Sequence, residues 1–151
     1  KGKGKGKGKG KAKFDFKDLG DFQKTKAKAK KKRKEGEYTF ELVNSELKRN
    51  FLFSYTVYTM RISDGKYQWK IYRTWTDFRD LHVKVQKLDP SARLPSLPPA
   101  KFFGSTDSEF VKKRGGDLRV YLEKMAGIYH VLESDLFNYF LRYQKDEVED
   151  L

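Results

Sequence analysis

Tyr67-Gln68-Trp69-Lys70-Ile71-Tyr72-Arg73-Thr74-Trp75-Thr76-Asp77-Phe78-Arg79-Asp80-Leu81 changes its hydrophobic period midway. Up to Arg73, apolar Tyr67, Trp69 and Ile71 alternate with Gln68 and Lys70, the period of two that gives a strand one apolar and one mainly polar face. Beyond it, Phe78, Leu81, Val85 and Leu88 fall on one helical stripe. Thr74-Trp75-Thr76-Asp77 has the form of a capping box, so the spacing predicts a strand that ends at Arg73 and a helix that begins at Trp75.

Upstream of this junction, Tyr38–Val43 reads as a first strand and Phe51–Ile62 as a long second one, rich in aromatic and β-branched residues. Ser63-Asp64-Gly65-Lys66 reads as the hairpin turn into the third strand. Downstream, Pro90 ends the first helix, and the segment to Gly104 holds all 4 prolines, which predicts an extended, semi-rigid loop. Thr106-Asp107-Ser108-Glu109 is a second capping box. It opens a helix that buries Val111, Leu118, Leu122 and Met125 and closes at Gly127. A last helix is expected from Glu133 to Tyr143, burying Leu136, Phe137 and Phe140. Three antiparallel strands followed by helices make an α+β layout.

The chain has 151 residues, enough for one modest core and little else. It has no cysteine, which excludes a disulfide scaffold, a cysteine zinc site and a thiol nucleophile. His82 and His130 lie far apart in sequence and give little support to a metal site or to Ser/His chemistry. We therefore expect no metal and no cofactor. No apolar run reaches the length of a membrane span. The first residue is Lys1 and no apolar h-region follows, as expected of a piece of a longer chain or a processed product without a secretion signal, with a cytoplasmic setting as the default.

The formal charge is +13, and residues 1–37 carry +11 of it. This tail opens with repeated Lys-Gly and closes with the basic run Lys24–Lys34, a composition expected to be disordered in isolation. Its function would be that of an electrostatic arm for polyanions, either an anionic membrane surface or nucleic acid. Nucleic acid is disfavoured, because the remaining 114 residues are nearly neutral at +2 and show no RNA-recognition signature. Between the basic runs, aromatic and acidic residues alternate in Phe14–Phe22, either a short motif that docks on a partner or a transiently collapsed stretch. The expected organisation is thus a tail or linker over 1–37, a folded domain over 38–143 and an acidic C-terminal extension over 144–151.

Three blocks carry a resemblance. They are Tyr72–Leu81 at the strand-to-helix junction, Leu94-Pro95-Ser96-Leu97-Pro98-Pro99-Ala100-Lys101-Phe102-Phe103-Gly104 in the loop, and Glu109-Phe110-Val111-Lys112-Lys113-Arg114-Gly115-Gly116-Asp117-Leu118 opening the long helix. Their order and spacing from about Tyr38 to Leu141 resemble the PX (phox homology) domain, a phosphoinositide-binding family. The resemblance implies a three-stranded antiparallel sheet packed on a helical subdomain with a proline-rich loop. It also implies an inositol-phosphate pocket between sheet, loop and long helix. Trp75 would lie under the inositol ring, Lys101 would meet the phosphate that links headgroup to lipid, and Arg114 would bond ring hydroxyls.

One position departs from the family pattern. The residue before the aromatic is the arginine that grips the 3-phosphate, and here it is Thr74. A lost charge-assisted hydrogen bond weakens binding about ten- to a hundredfold. Arg73, one residue earlier, is the alternative ligand. Strand alternation places it with core-facing Trp69 and Ile71, although alternation lapses at strand ends. Phe102 and Phe103, after the prolines, are candidates for membrane insertion.

The resemblance therefore implies a non-enzymatic, peripheral module of membrane trafficking, of the kind carried by sorting nexins, kinases and oxidase organisers. It would act at endosomal or other phosphoinositide-bearing membranes, with phosphatidylinositol 3-phosphate as the first guess and the lysine tail assisting. The alternative is a domain of the same fold used for binding a protein partner, with little specific lipid binding. No activated nucleophile or paired carboxylates support catalysis.

Overall fold

The computed structural model describes residues 14–20, 38–100, 107–143 and 146–150. Strands β1 (Thr39–Arg49), β2 (Ser54–Ser63), β3 (Tyr67–Arg73) and β4 (Asp146–Asp150) form one antiparallel sheet in the order β1-β2-β3-β4. Helices α1 (Trp75–Leu88), α2 (Ser108–Ala126), the single turn α3 (Tyr129–Leu132) and α4 (Asp135–Arg142) pack on one side of it. The three-stranded antiparallel sheet with its helical subdomain is the expected α+β fold. The fourth strand was not expected: part of the acidic extension pairs with β3.

The core lies between the inner face of the sheet and the helices. Met60, Ile62, Trp69 and Ile71 from the sheet meet Phe78, Leu81, Leu118, Leu122, Phe137 and Phe140, and all of them are buried. Each such side chain contributes about 1.5–3 kcal/mol by leaving water. The helical stripe predicted for α1 holds through Val85 but not at Leu88, the last residue of the helix, which is exposed. Helix α2 approaches β1 closely at Gly115, where a β-carbon would stand only 2.7 Å from Leu42 Cδ2. A residue without a side chain at that point lets the helix lie flat on the strand.

The β2–β3 turn forms at Asp64-Gly65 as expected, with Gly65 at φ 92°, a conformation that L side chains rarely adopt. Asp64 Oδ1 accepts the backbone N–H of Lys66 at 3.0 Å and of Tyr67 at 2.8 Å. Its Oδ2 accepts from Arg142 Nη2 at 3.1 Å, which ties the turn to α4.

Strand and helix ends differ from expectation in four places. Strand β1 is longer than Tyr38–Val43 and carries an irregularity between Leu42 and Asn44. Strand β2 starts at Ser54 rather than Phe51, because Asn50 Oδ1 accepts the N–H groups of Leu52 at 2.8 Å and Phe53 at 2.9 Å and turns the chain there. Helix α2 takes Asp107 as its N-cap, with no side-chain cap bond, and Thr106 lies outside the described residues. The last helix starts at Asp135, where Ser134 caps it through its hydroxyl, and a single turn that was not expected, α3, precedes it.

Part of the expected tail belongs to the folded body. Phe14 is buried against Phe140, Tyr139 and Tyr143, with Phe16 and Leu19 packed beside it. Tyr139 Oη–H donates to the Asp15 carbonyl at 2.6 Å, and Tyr143 Oη–H donates to Asp18 Oδ2 at 2.5 Å. The segment 14–20 thus docks on its own domain, a third outcome beside partner docking and transient collapse. The basic run Lys24–Lys34 lies outside the described residues.

Candidate functional site

The site is built at the junction of β3 and α1, where Thr74 stops the strand and starts the helix. Its hydroxyl accepts from Asp77 N at 3.3 Å and its own N–H donates to Asp77 Oδ2 at 2.8 Å, so the capping box read in the sequence is complete. Both polar groups of Thr74 are therefore engaged in the cap.

Trp75, the first residue of α1, is half-buried. Its indole Nε1–H donates to the Pro98 carbonyl at 2.7 Å, which pins the proline-rich loop to the start of the helix. Extended Pro98 can offer that carbonyl because it belongs to no helix or ladder. Arg114 reaches over from α2, with Cζ 5.5 Å from the Trp75 ring and 4.6 Å from the Phe110 ring. Arg79 stands 5.9 Å from the same indole. A half-exposed indole flanked by two guanidinium groups combines a flat apolar face with donors for anionic oxygens, the chemistry that an inositol phosphate requires.

Tyr58, on β2, lies beside Arg114. It is buried and its hydroxyl pKa is raised: burial drives it up and the nearby positive charge of Arg114 opposes that only in part. Among the described residues, neither Tyr58 Oη nor Arg114 Nε has a hydrogen-bond partner, although both atoms are buried.

The structure corrects one candidate. Arg73 does not face the site; it is 1% exposed and points into the core. Its Nε and Nη2 donate to the Phe140 carbonyl at 3.2 and 2.7 Å, Nη2 also to Tyr143 O at 2.7 Å, and Nη1 to Tyr72 O at 2.9 Å. The guanidinium thus caps the C-terminal end of α4, where backbone carbonyls lack helical donors and the helix dipole favours a cation. Strand alternation holds to the last residue of β3, which is why Arg73 shares the face of Trp69 and Ile71. Of the five headgroup candidates, the structure brings Trp75 and Arg114 together, uses Thr74 as a cap and removes Arg73. Lys101, with Phe102 and Phe103, lies outside the described residues.

A second feature was missed in the sequence. The β1–β2 turn presents Phe51, Leu52 and Phe53 at 98%, 79% and 57% exposure, the most exposed large apolar cluster among the described residues. The β2–β3 ladder begins at Tyr58, opposite Arg73, so β1 and β2 run on past the end of β3 to this tip. Four residue steps along the strand lead from Tyr58 to Ser54, about 13 Å, which places the tip beyond the same end of the sheet as Thr74 and Trp75. The signal was available: three consecutive apolar residues after Asn50 break strand alternation and follow a turn-forming side chain.

His82 and His130 take no part in the site. His82 Nδ1 lies 2.8 Å from Tyr121 Oη on the helical side, and burial lowers its pKa. Among the described residues there is no group of three or more side chains able to hold a metal ion, and no helix is long and apolar enough to cross a membrane.

Comparison with known proteins agrees with this fold. Human sorting nexin-13 is 31% identical over 81 residues, 53% of this chain and 8% of that protein. The rat serine/threonine-protein kinase Sgk3 is 26% identical over 102 residues, 64% of this chain and 20% of the kinase. The chain therefore spans only a small part of these relatives. The X-ray structure of a designed CISK-PX domain superposes with a TM-score of 0.62 at 25% identity, covering 69% of this chain and 98% of that one. Residues 61–144, more than half of the chain, match the PX domain family model, and the chain belongs to the PX domain family.

Proposed function

We propose that this chain is a non-enzymatic phosphoinositide-binding module that brings a larger protein to membranes. PX domains as a family bind phosphoinositides, and the observation that carries the reading for this chain is the Trp75 indole, pinned by Pro98 and flanked by Arg114. The indole face takes the inositol ring and Arg114 its hydroxyls. Lys101 is assigned to the linking phosphate by its place in the family motif. With Thr74 committed to the cap and Arg73 to the core, the 3-phosphate lacks its arginine, so the headgroup affinity is weakened.

Other contacts offset that loss. Phe51, Leu52 and Phe53 form an apolar prow just beyond Lys48 and Arg49 at the end of β1, a composition suited to an anionic bilayer. Phe102 and Phe103 add apolar groups from the proline loop, and Lys24–Lys34 adds charge. Weak contacts linked on one chain multiply as avidity.

Flotation of the whole chain at physiological salt tests this. Phosphatidylcholine vesicles carrying phosphatidylinositol 3-phosphate are compared with vesicles of equal charge carrying phosphatidylserine. We expect preference for the first, and its loss in Trp75→Ala and Arg114→Ala. Equal binding to both vesicles would discard the pocket.

The second reading, a PX domain that binds a protein, is favoured by one observation, the absence of an arginine at the phosphate position. It cannot use β2 as an edge from Tyr58 to Ser63, where that strand lies between β1 and β3. Capture of a stoichiometric partner without any lipid preference beyond charge would select it. Binding to nucleic acid, if present, would belong to the tail alone and fall steeply with salt.

A further inference from the structure

We propose that the Tyr58 hydroxyl is a ligand-contacting donor of the headgroup site, acting beside Arg114 Nε on a phosphate or hydroxyl oxygen of an inositol phosphate; this rests on the phosphoinositide reading above. Nothing in the family motif names this position, and it lies outside all three matching blocks.

A buried polar atom without a partner calls for a cause, since leaving one unsatisfied costs stability. Tyr58 is 1% exposed and its Oη makes no hydrogen bond, while the neighbouring Arg114 Nε is buried and equally unpartnered. The guanidinium lies close enough to act on the hydroxyl both by its charge and as a side-chain donor, yet neither Tyr58 Oη nor Arg114 Nε reaches regular hydrogen-bond geometry. Arg114 has only donors, so even where Tyr58 Oη accepts from it, the hydroxyl hydrogen still lacks an acceptor. An oxygen set between them would accept from both, and phosphates and ring hydroxyls supply such oxygens.

The placement fits the ligand. Arg114 stands over the Trp75 indole, where the inositol ring is assigned. Tyr58 is the register partner of Arg73, one residue from Thr74, at the strand end where the family pattern has its phosphate-gripping arginine. A phenol is protonated at neutral pH and burial raises this one further, so the hydroxyl remains a donor. Tyr58 thus adds a neutral donor beside Arg114, and its contribution should depend little on salt.

Tyr58→Phe in the whole chain removes only the oxygen. On phosphatidylcholine vesicles carrying phosphatidylinositol 3-phosphate we expect roughly tenfold weaker binding, with no change on phosphatidylserine vesicles of equal charge. Titration of soluble inositol 1,3-bisphosphate, followed by tryptophan fluorescence, should show the same loss. The thermal midpoint should stay level or rise, because an unsatisfied buried hydroxyl has been removed. Binding within twofold of the unaltered chain on both probes overturns the proposal. So does a loss confined to vesicles, a loss equal on both vesicle types, or a lowered thermal midpoint, which would reveal a structural partner. If the unaltered chain shows no preference for the phosphoinositide vesicles, the phosphoinositide reading itself fails and this inference falls with it. If that preference stands and Tyr58→Phe keeps it, only the inference falls.

Discussion

The ring centre of Phe14 lies 3.9 Å from Cζ of Arg73, although 59 positions separate them in the chain. Phe140 stands 5.2 Å from the same guanidinium. Burial pushes the Arg73 pKa down to about 9, opposed by the Asp77 charge, and the group remains a cation at neutral pH. A buried cation survives only when its donors are matched, and here carbonyls at the end of α4 and two aromatic faces do so. Phe14 therefore closes a site whose other members come from β3 and α4.

Phe14→Ala should lower stability by about 3 kcal/mol, as for other buried phenylalanines, because it opens a cavity and uncovers Arg73. Urea denaturation of the whole chain measures this. A chain beginning at Tyr38 should lose a similar amount, and equal midpoints for all three would show that the segment adds nothing to the core.

Arg73→Met leaves the α4 carbonyls without their donors and should destabilise by about 3 kcal/mol. Arg73→Lys keeps the charge but loses the fork that reaches two carbonyls, and should recover only part. At a temperature where both variants stay folded, vesicle binding should equal that of the unaltered chain. A selective loss of phosphoinositide preference would restore Arg73 to the binding site.

Phe51→Asp combined with Phe53→Asp should weaken binding to every anionic vesicle by more than tenfold, since each phenylalanine buried in lipid contributes about 1.5–3 kcal/mol. Its thermal midpoint should move little, because both side chains already face water. Centrifugation with vesicles and a melting curve check the two halves separately.

Burial alone would raise the Asp64 pKa, but the N–H groups of Tyr67 and Lys66 together with Arg142 hold it below the usual carboxylate range. A carboxylate whose folded pKa is depressed contributes stability that is complete above its unfolded pKa and vanishes as pH falls through the folded one. Asp64→Asn should cost about 1–2 kcal/mol at pH 7. The gap between variant and parent should close as the pH drops below the carboxylate range, measured by denaturation across pH.

The junction Tyr67–Leu81 disclosed the fold because two periods and a capping box agree within fifteen residues, and the structure keeps all three. The parity that made Arg73 doubtful as a ligand also held, since nothing at the end of β3 bends the strand before Thr74. Phe14 was illegible: an aromatic within a lysine-rich stretch carries no periodicity, and its partner Arg73 is known only once α4 is folded. Tyr58 looked like any strand residue, because an unpartnered hydroxyl is a property of three-dimensional packing. The tip Phe51–Phe53 was misread because strand-forming composition outweighed the turn signal of Asn50.

Strand β4 changes what the sheet can do at its margins. A strand edge is a template for another chain, and the outermost strand here reads Asp146-Glu147-Val148-Glu149-Asp150, four acids in five residues. A second copy offering the same strand would bring four like charges against these four. At the opposite margin, the irregularity near Val43 interrupts the regular ladder of β1. Each margin of the sheet thus carries a feature that discourages a further strand from adding there.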